Sequence, residues 1–291
     1  MHSSSQTENL QRFLNRQPVT VLAVCSGKGG VGKTNVAANV AIALGTRQHD
    51  VCLLDADVSL ANVDVLLGLQ PRFNLSNVVR GETDLASTML RGPGGVRIVP
   101  ASSGNFCMTE LPSGAQAGII QAFGELADQP DVLVVDTAAG ISPTVARFVQ
   151  AAQHALVVVC DEPASLTDAY ALIKVFSQNY GISRFEVITN QSNTHAAGRA
   201  LFSKLSRVTD MYLDVVLHHL GDIPRDDYVV KAVQEQRAVV DAYPKSPAGT
   251  AFSRIARAIE SLPMPSGTSG GIEFFFERLL MAEQTGRGMV A

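Results

Sequence analysis

Apolar residues fall along this chain in two rhythms. Seven short β-rich runs, several of them apolar nearly throughout, are VTVLAVC (19–25), VCLLDAD (51–57), VRIVPAS (96–102), DVLVVDT (131–137), HALVVVCDE (154–162), FEVITN (185–190) and VVLHHLGDIP (215–224). Such runs predict strands, and their lack of alternation predicts a parallel sheet covered on both faces. Helix-spaced segments lie between them, at Asn35–Leu44, Ala115–Ala127, Thr144–Ala152, Leu166–Phe176 and Arg199–Tyr212. Strand and helix in alternation predict an α/β fold: a doubly wound, mostly parallel sheet flanked by helices.

Three stretches depart from these rhythms. Residues 1–17 are polar apart from Leu10, Phe13 and Leu14, and PMPSGTSGG (263–271) reads as a linker. After it, IEFFFERLLMA (272–282) places Ile272, Phe275, Phe276, Leu279 and Leu280 on one helical face. Glu273 and Glu277 flank that face, and Phe274 falls on the otherwise polar side. The expected layout is a polar segment at 1–17, one domain at 18–262, the linker, and a short amphipathic helix with its tail at 272–291. No internal repeat is present, which argues against a tandem two-domain architecture.

Composition narrows the function classes. The chain has 291 residues, 17% of them charged, with a net charge of −4, and from Thr194 onward eleven Lys/Arg face eleven Asp/Glu. Bulk charge therefore gives no grip on a phosphate backbone, and no direct nucleic-acid binding is expected. Cys25, Cys52, Cys107 and Cys160 lie far apart with no CxxC pair. Their spacing fails for zinc, for an iron–sulfur cluster and for a disulfide framework, and free buried thiols suit a reducing cytoplasm. There is no signal-peptide core, and no apolar run approaches the roughly 18 residues of a membrane span. His218 and His219, adjacent in a strand, point to opposite faces and cannot share one metal.

The chemistry concentrates in CSGKGGVGKTNV, Cys25 to Val36. Gly27-x4-Gly32-Lys33-Thr34 fits the phosphate-loop pattern, placed after a strand and before a helix. Its glycines let backbone N–H groups wrap phosphate oxygens, and the helix N-terminus adds partial positive charge. Lys33 would reach the β- and γ-phosphates, and the Thr34 hydroxyl would ligate Mg²⁺. Asp55, Asp57 and Asp136 close neighbouring strands, whose C-terminal ends face the ligand crevice in this fold. Asp136 is placed to hold Mg²⁺ through water. Helix N-capping is the competing role for such acids, Asp55 above all.

KGGVGKT (28–34) resembles the deviant phosphate loop of the MinD/ParA family of P-loop ATPases. The resemblance runs from about residue 19 to 262 and implies a MinD-like fold of the SIMIBI class, with ATP and Mg²⁺ as ligands. It implies that Gly27, Lys28, Gly29, Gly30, Val31, Gly32, Lys33, Thr34 and Asn35 surround the phosphates. Lys28, the extra lysine, would cross to the partner's ATP in a homodimer, supplying charge in trans as an arginine finger does. LLDADVSLANVD (53–64) matches the first switch region, where Asp57 would orient the attacking water, with Asp55 beside Thr34 and Asp136 at the metal. DTAAG (136–140) resembles the second switch, with Ala138 where MinD commonly has proline. Asn190, Pro224 and Asp226 (in GDIPRDD) fall where the family binds adenine. The lack of CxxC pairs departs from the iron–sulfur-carrying relatives.

Longer stretches are similar to one branch, the flagellar number regulators of the FleN/FlhG type: GKTNVAANVA, LANVDVLLGL, GPGGVRIVPASSG, DEPASLTDAYALIK, KAVQEQRAV and EFFFERL. That similarity implies a slow, dimer-dependent ATPase that restrains an AAA+ flagellar transcription activator of the FleQ type and works with the GTPase FlhF. The branch's N-terminal DQAxxLR-type motif survives in SQTENLQ (5–11) only as Gln6 and Leu10, and a frayed tail is the competing reading there. MinD relatives dock on membranes through a C-terminal helix. Here Glu273, Glu277, Arg278 and Glu283 leave the helix net negative, unlike interfacial helices. Packing on the body is expected at rest, with ATP-linked release to the inner membrane as the other state. Localisation is then cytoplasmic, peripheral on the inner membrane or at the cell pole. A MinD-type division-site ATPase and a ParA-type segregation ATPase are the alternatives.

Overall fold

Buried β-branched runs build one sheet, and the helices between them seal its two faces. The structure is a computed structural model that describes residues 18–57, 62–101, 113–263 and 271–281. Eight strands occur among them: β1 (Thr20–Cys25), β2 (Val51–Asp55), β3 (Leu90–Arg91), β4 (Arg97–Val99), β5 (Val132–Asp136), β6 (His154–Cys160), β7 (Arg184–Ser192) and β8 (Val216–Pro224). The helices are α1 (Lys33–Gly45), α2 (Val63–Leu66), α3 (Leu75–Val79), α4 (Leu85–Thr88), α5 (Ser113–Gly124), α6 (Pro143–Ala151), α7 (Pro163–Tyr180), α8 (His195–Tyr212), α9 (Asp227–Gln234), α10 (Val239–Ala242), α11 (Pro247–Glu260) and α12 (Ile272–Met281).

The strand order is β3-β4-β2-β5-β1-β6-β7-β8, parallel throughout except for the β3–β4 pair. The chain leaves β1 towards one edge, returns to lay β5 between β2 and β1, then winds to the other edge. The loops after β1, β2 and β5 therefore open onto a shared crevice. Register makes the crevice sharp: Val24 and Asp55 both pair with Asp136. Successive strand residues serve opposite faces. Leu22, Leu53, Val134, Leu156 and Ile188 pack under α1, α10 and α11. Val21, Leu54 and Val135 pack against α5 and α12, while Ala23, Val157 and Val187 pack against α6, α7 and α8.

All seven predicted strands are present, six of them shortened at their ends and β7 extended to Arg184–Ser192. The two-residue β3 is not among them, being too brief for any period. The predicted helices are present: α1, α7 and α8 are longer than their patterns, α5 ends three residues early at Gly124, and α6 is shifted by one residue. α2, α3, α4, α9, α10 and α11 lie outside the helical segments the pattern marked. α11 buries Phe252, Ile255 and Ile259 at helical spacing among the smaller Ala248, Gly249, Ala251 and Ala256, a signal the segments marked above do not include. Gln6, Leu10, Phe13, Leu14, Cys107, Glu283, most of the 263–271 linker and residues 58–61 of the first switch stretch lie outside the described residues. Cys25, Cys52 and Cys160 are free and buried, and burial pushes each thiol up, Cys25 and Cys52 to about 12.

The C-terminal helix α12 lies on the body. Ile272, Phe275, Phe276, Leu279 and Leu280 are all buried against α5 and α6. The Phe276 ring stacks on Phe123 with centroids 4.0 Å apart, and Phe275 meets Phe276 edge-on at 5.0 Å. Arg278 Nη2 donates to the Gln150 carbonyl at 2.6 Å, and the Ile272 N–H donates to Gln129 Oε1 at 3.3 Å. Burying each large side chain here is favourable by roughly 1.5–3 kcal/mol. No helix among the described residues is long and apolar enough to cross a membrane.

Candidate functional site

β1 ends at Cys25 inside the sheet, and the loop that follows is shaped by glycine. Gly30 and Gly32 take φ of +82° and +84°, a left-handed conformation that disfavours any side chain. Gly32 is the N-cap of α1, which has no side-chain cap, so its first-turn N–H groups face the crevice as an anion-binding end. Space also dictates glycine: a Cβ on Gly32 would sit 2.6 Å from Asn190 Nδ2, and one on Gly27 would sit 2.2 Å from the Asp168 carbonyl oxygen. The loop is tied down further along. The Val31 carbonyl accepts from Asn190 Nδ2 at 2.8 Å and from the Cys160 thiol at 3.5 Å. Ser26 Oγ donates to the Lys28 carbonyl at 3.0 Å, and the Gly140 N–H donates to the Ser26 carbonyl at 2.8 Å.

Beneath the loop, Lys33 Nζ donates to Asp136 Oδ1 at 2.7 Å, both side chains being buried. Burial pushes the Asp136 carboxyl up, opposed by the Lys33 charge and by the Thr34 hydroxyl. Its other oxygen, Oδ2, is buried without a hydrogen-bond partner. Asp55 stands beside it and accepts three backbone N–H groups: Asp57 at 3.1 Å, Asn62 at 3.2 Å and Val63 at 3.3 Å. Asp55 is pushed up to about 7, by burial first and by Asp136 second. It thus clamps both ends of the switch stretch and heads α2, so the capping role coexists with its place beside Asp136. Asp57 is buried and lines the cavity.

These donors suit Mg²⁺. A hydroxyl, an orphaned carboxylate oxygen and a second carboxylate held level by register form an all-oxygen set for a hard cation. Thr34, Asp55 and Asp136 would hold it. A cavity of about 590 Å³ opens above them, lined by Lys28, Lys33, Thr34, Asp57 and Ala138 among others. A second cavity of about 330 Å³ shares Gly32 and Asn35 with it and is lined by Asn190, Pro224, Asp226 and Phe252. Together they suit a nucleotide, with phosphates in the first and base in the second.

The base pocket is less free than its residue types suggest. Asn190 Oδ1 accepts from the Gln191 N–H at 2.9 Å while Nδ2 serves Val31. Asp226 accepts from the Tyr228 N–H at 3.0 Å and the Ala248 N–H at 2.9 Å, capping α9 and bracing the start of α11. Its carboxylate shapes the pocket through these two helix ends. Pro224 ends β8 at the rim, paired in register with Ser192.

Lys28 lines the larger cavity, and its Nζ lies 2.9 Å from Glu162 Oε2. Glu162 escaped sequence reasoning; its one signal was its place just before Pro163 at a helix start. Asn39 also escaped: it is buried, its Nδ2 donates to Asn35 Oδ1 at 3.0 Å and its Oδ1 accepts from the Val240 N–H at 3.0 Å, tying α1 to α10. The adjacent histidines do part company. His218 Nδ1 meets Glu186 Oε2 at 2.7 Å, while the His219 ring stacks on Phe202. Among the described residues no cluster of three His, Cys, Asp or Glu could hold a metal by itself.

A ParA family model, described as NUBPL iron-transfer P-loop NTPase, matches residues 18–260. The chain is 54% identical over 277 residues to the antiactivator FleN of Pseudomonas aeruginosa, covering 95% of this chain and 99% of that one. It is 32% identical to the flagellum site-determining protein YlxH of Helicobacter pylori, over 92% of each chain. Among solved structures, the MinC:MinD cell division complex of Aquifex aeolicus superposes with a TM-score of 0.67 at 25% identity, covering 87% of this chain and all of that one.

Proposed function

This chain belongs to the MinD/ParA family of P-loop ATPases, and from that footing we propose that it is a nucleotide-driven antiactivator that limits flagellar number. The observation that carries it is the 54% identity to FleN over nearly the whole of both chains, which reaches beyond the ATPase body that all family members share. The site supports a nucleotide cycle. ATP phosphates would lie on the N–H groups of the loop and of the first turn of α1. Lys33 would turn from Asp136 to the β- and γ-phosphates. Mg²⁺, when bound by Thr34, Asp55 and Asp136, neutralises charge on the phosphate oxygens. Asp57 would orient the attacking water, and Lys28 would act on the nucleotide of a second copy. Asn190, Pro224 and Asp226 would frame the adenine.

The product of this cycle is a conformational state. The ATP-bound homodimer restrains an AAA+ flagellar transcription activator, with the GTPase FlhF as a second partner and α12 as a candidate membrane contact. Flagellar counts by electron microscopy test the function. A deletion strain should carry extra flagella, corrected by the wild-type gene and not by Lys33→Ala expressed at equal level. Normal flagella accompanied by minicells or lost DNA would move the protein to the division-site or segregation class.

A further inference from the structure

Lys28 does not reach away from its own subunit in this structure; it is held there. Its Nζ lies 2.9 Å from Glu162 Oε2. Glu162 sits at the N-cap of α7 yet makes no side-chain bond to that helix, which leaves its carboxylate to the lysine. Backbone packing builds the encounter in. The missing Cβ of Gly27 lets the loop rest directly on the Asp168 carbonyl, so the next residue arrives at the N-terminal end of α7. Glu162, and more weakly Asp168, favour the charged ammonium.

We propose that Glu162 is the resting partner of Lys28, and that breaking this pair in both protomers is part of forming the nucleotide-bound dimer, so that Glu162 sets how readily ATP drives dimerisation. The inference rests on the reading that Lys28 crosses to the nucleotide of a second copy. In that exchange a terminal phosphate of the partner's ATP replaces the carboxylate as counter-ion. The released Glu162 stays at the N-terminal end of α7, whose partial positive charge holds it. The effect is graded, because the two side chains are 40% and 60% exposed. An exposed pair shifts an equilibrium by roughly 1.4- to fivefold. A two-fold symmetric dimer breaks two pairs, so its dissociation constant should shift by the square, roughly two- to thirtyfold. Glu162 is thus a positioning residue that acts through Lys28.

The test is sedimentation velocity with Mg²⁺ and a non-hydrolysable ATP analogue, on the full chain and on Glu162→Gln, Lys28→Ala and the double variant. Glu162→Gln should dimerise several-fold more tightly than wild type while binding the analogue as a monomer with unchanged affinity. At protein concentrations high enough for Lys28→Ala to dimerise, adding Glu162→Gln should leave its dissociation constant unchanged, whereas a general structural effect of the glutamine would tighten it as well. Raising the salt should narrow the gap, since screening weakens the same pair. A dimer of unchanged or weaker affinity in Glu162→Gln, beside a wild type that dimerises, overturns the inference and leaves the dimer reading standing. A wild type that stays monomeric with the analogue overturns the dimer reading itself.

Discussion

At the scale of single residues both lysines of the phosphate loop are held by carboxylates of their own chain. Lys33 and Asp136 are buried against each other, so removing the lysine strands a carboxylate. Lys33→Ala should abolish nucleotide binding and also lower apo stability by about 3 kcal/mol near neutral pH, as breaking buried pairs does. Because Asp136 is already pushed up, the stranded group takes a proton as pH falls. The stability deficit should therefore shrink as pH falls in denaturant titrations of variant and wild type. Asp55 gives a second pH signature. Its folded value near 7 lies above the unfolded one, so its contribution to apo stability is present at low pH and lost as pH rises through about 7. Mg²⁺ needs the ionised form, so Mg-nucleotide affinity should climb from about pH 6 and level off near pH 8. Calorimetry across that range should show the climb in wild type and a flat, weaker profile in Asp55→Asn.

At the scale of elements, two attachments decide how the pocket and its back wall hold. Asp226 braces α9 and α11 with one carboxylate, so Asp226→Ala should cost about 1–2 kcal/mol of stability and loosen the base pocket together. Weaker adenine-nucleotide binding without that stability loss would show that its role is direct. On the opposite face, Phe276→Ala should destabilise by about 3–5 kcal/mol, read from the urea midpoint, because its ring fills the space over Phe123. The sheet and the main helices were legible because continuous apolar runs and helical spacing are strong signals, and α12 because five large residues share one face. β3, α2 to α4 and α10 were not, since two to five residues make no clear period. α11, by contrast, does carry Phe252, Ile255 and Ile259 at helical spacing and, like α9, lay outside the marked segments. In the site, glycine spacing and strand-end acids located the phosphate end. Sequence could not show that Asp226 caps helices, that Asp55 clamps the switch stretch, or that Glu162 meets Lys28 across 134 positions. Those are tertiary encounters between residues of unremarkable type.

At the scale of the molecule the chain is half of a proposed device. Lys28 lines the larger cavity, so a second copy must come to that cavity for the lysines to exchange. ATP with Mg²⁺ should convert monomer to dimer in light scattering, whereas ADP should leave it monomeric. The winding of the sheet carries a different consequence. Because β5 lies between β1 and β2, the strands that bear the phosphate loop and Asp55 are not joined in one sheet until residues 132–136 have paired with both. That closure spans more than a third of the chain, and contacts of such long sequence separation are slow to form. The crevice therefore comes into being late and all at once. During refolding, the ability to bind nucleotide should lag behind the gain of helix, and the ligand should act on unfolding far more than on the first steps of collapse.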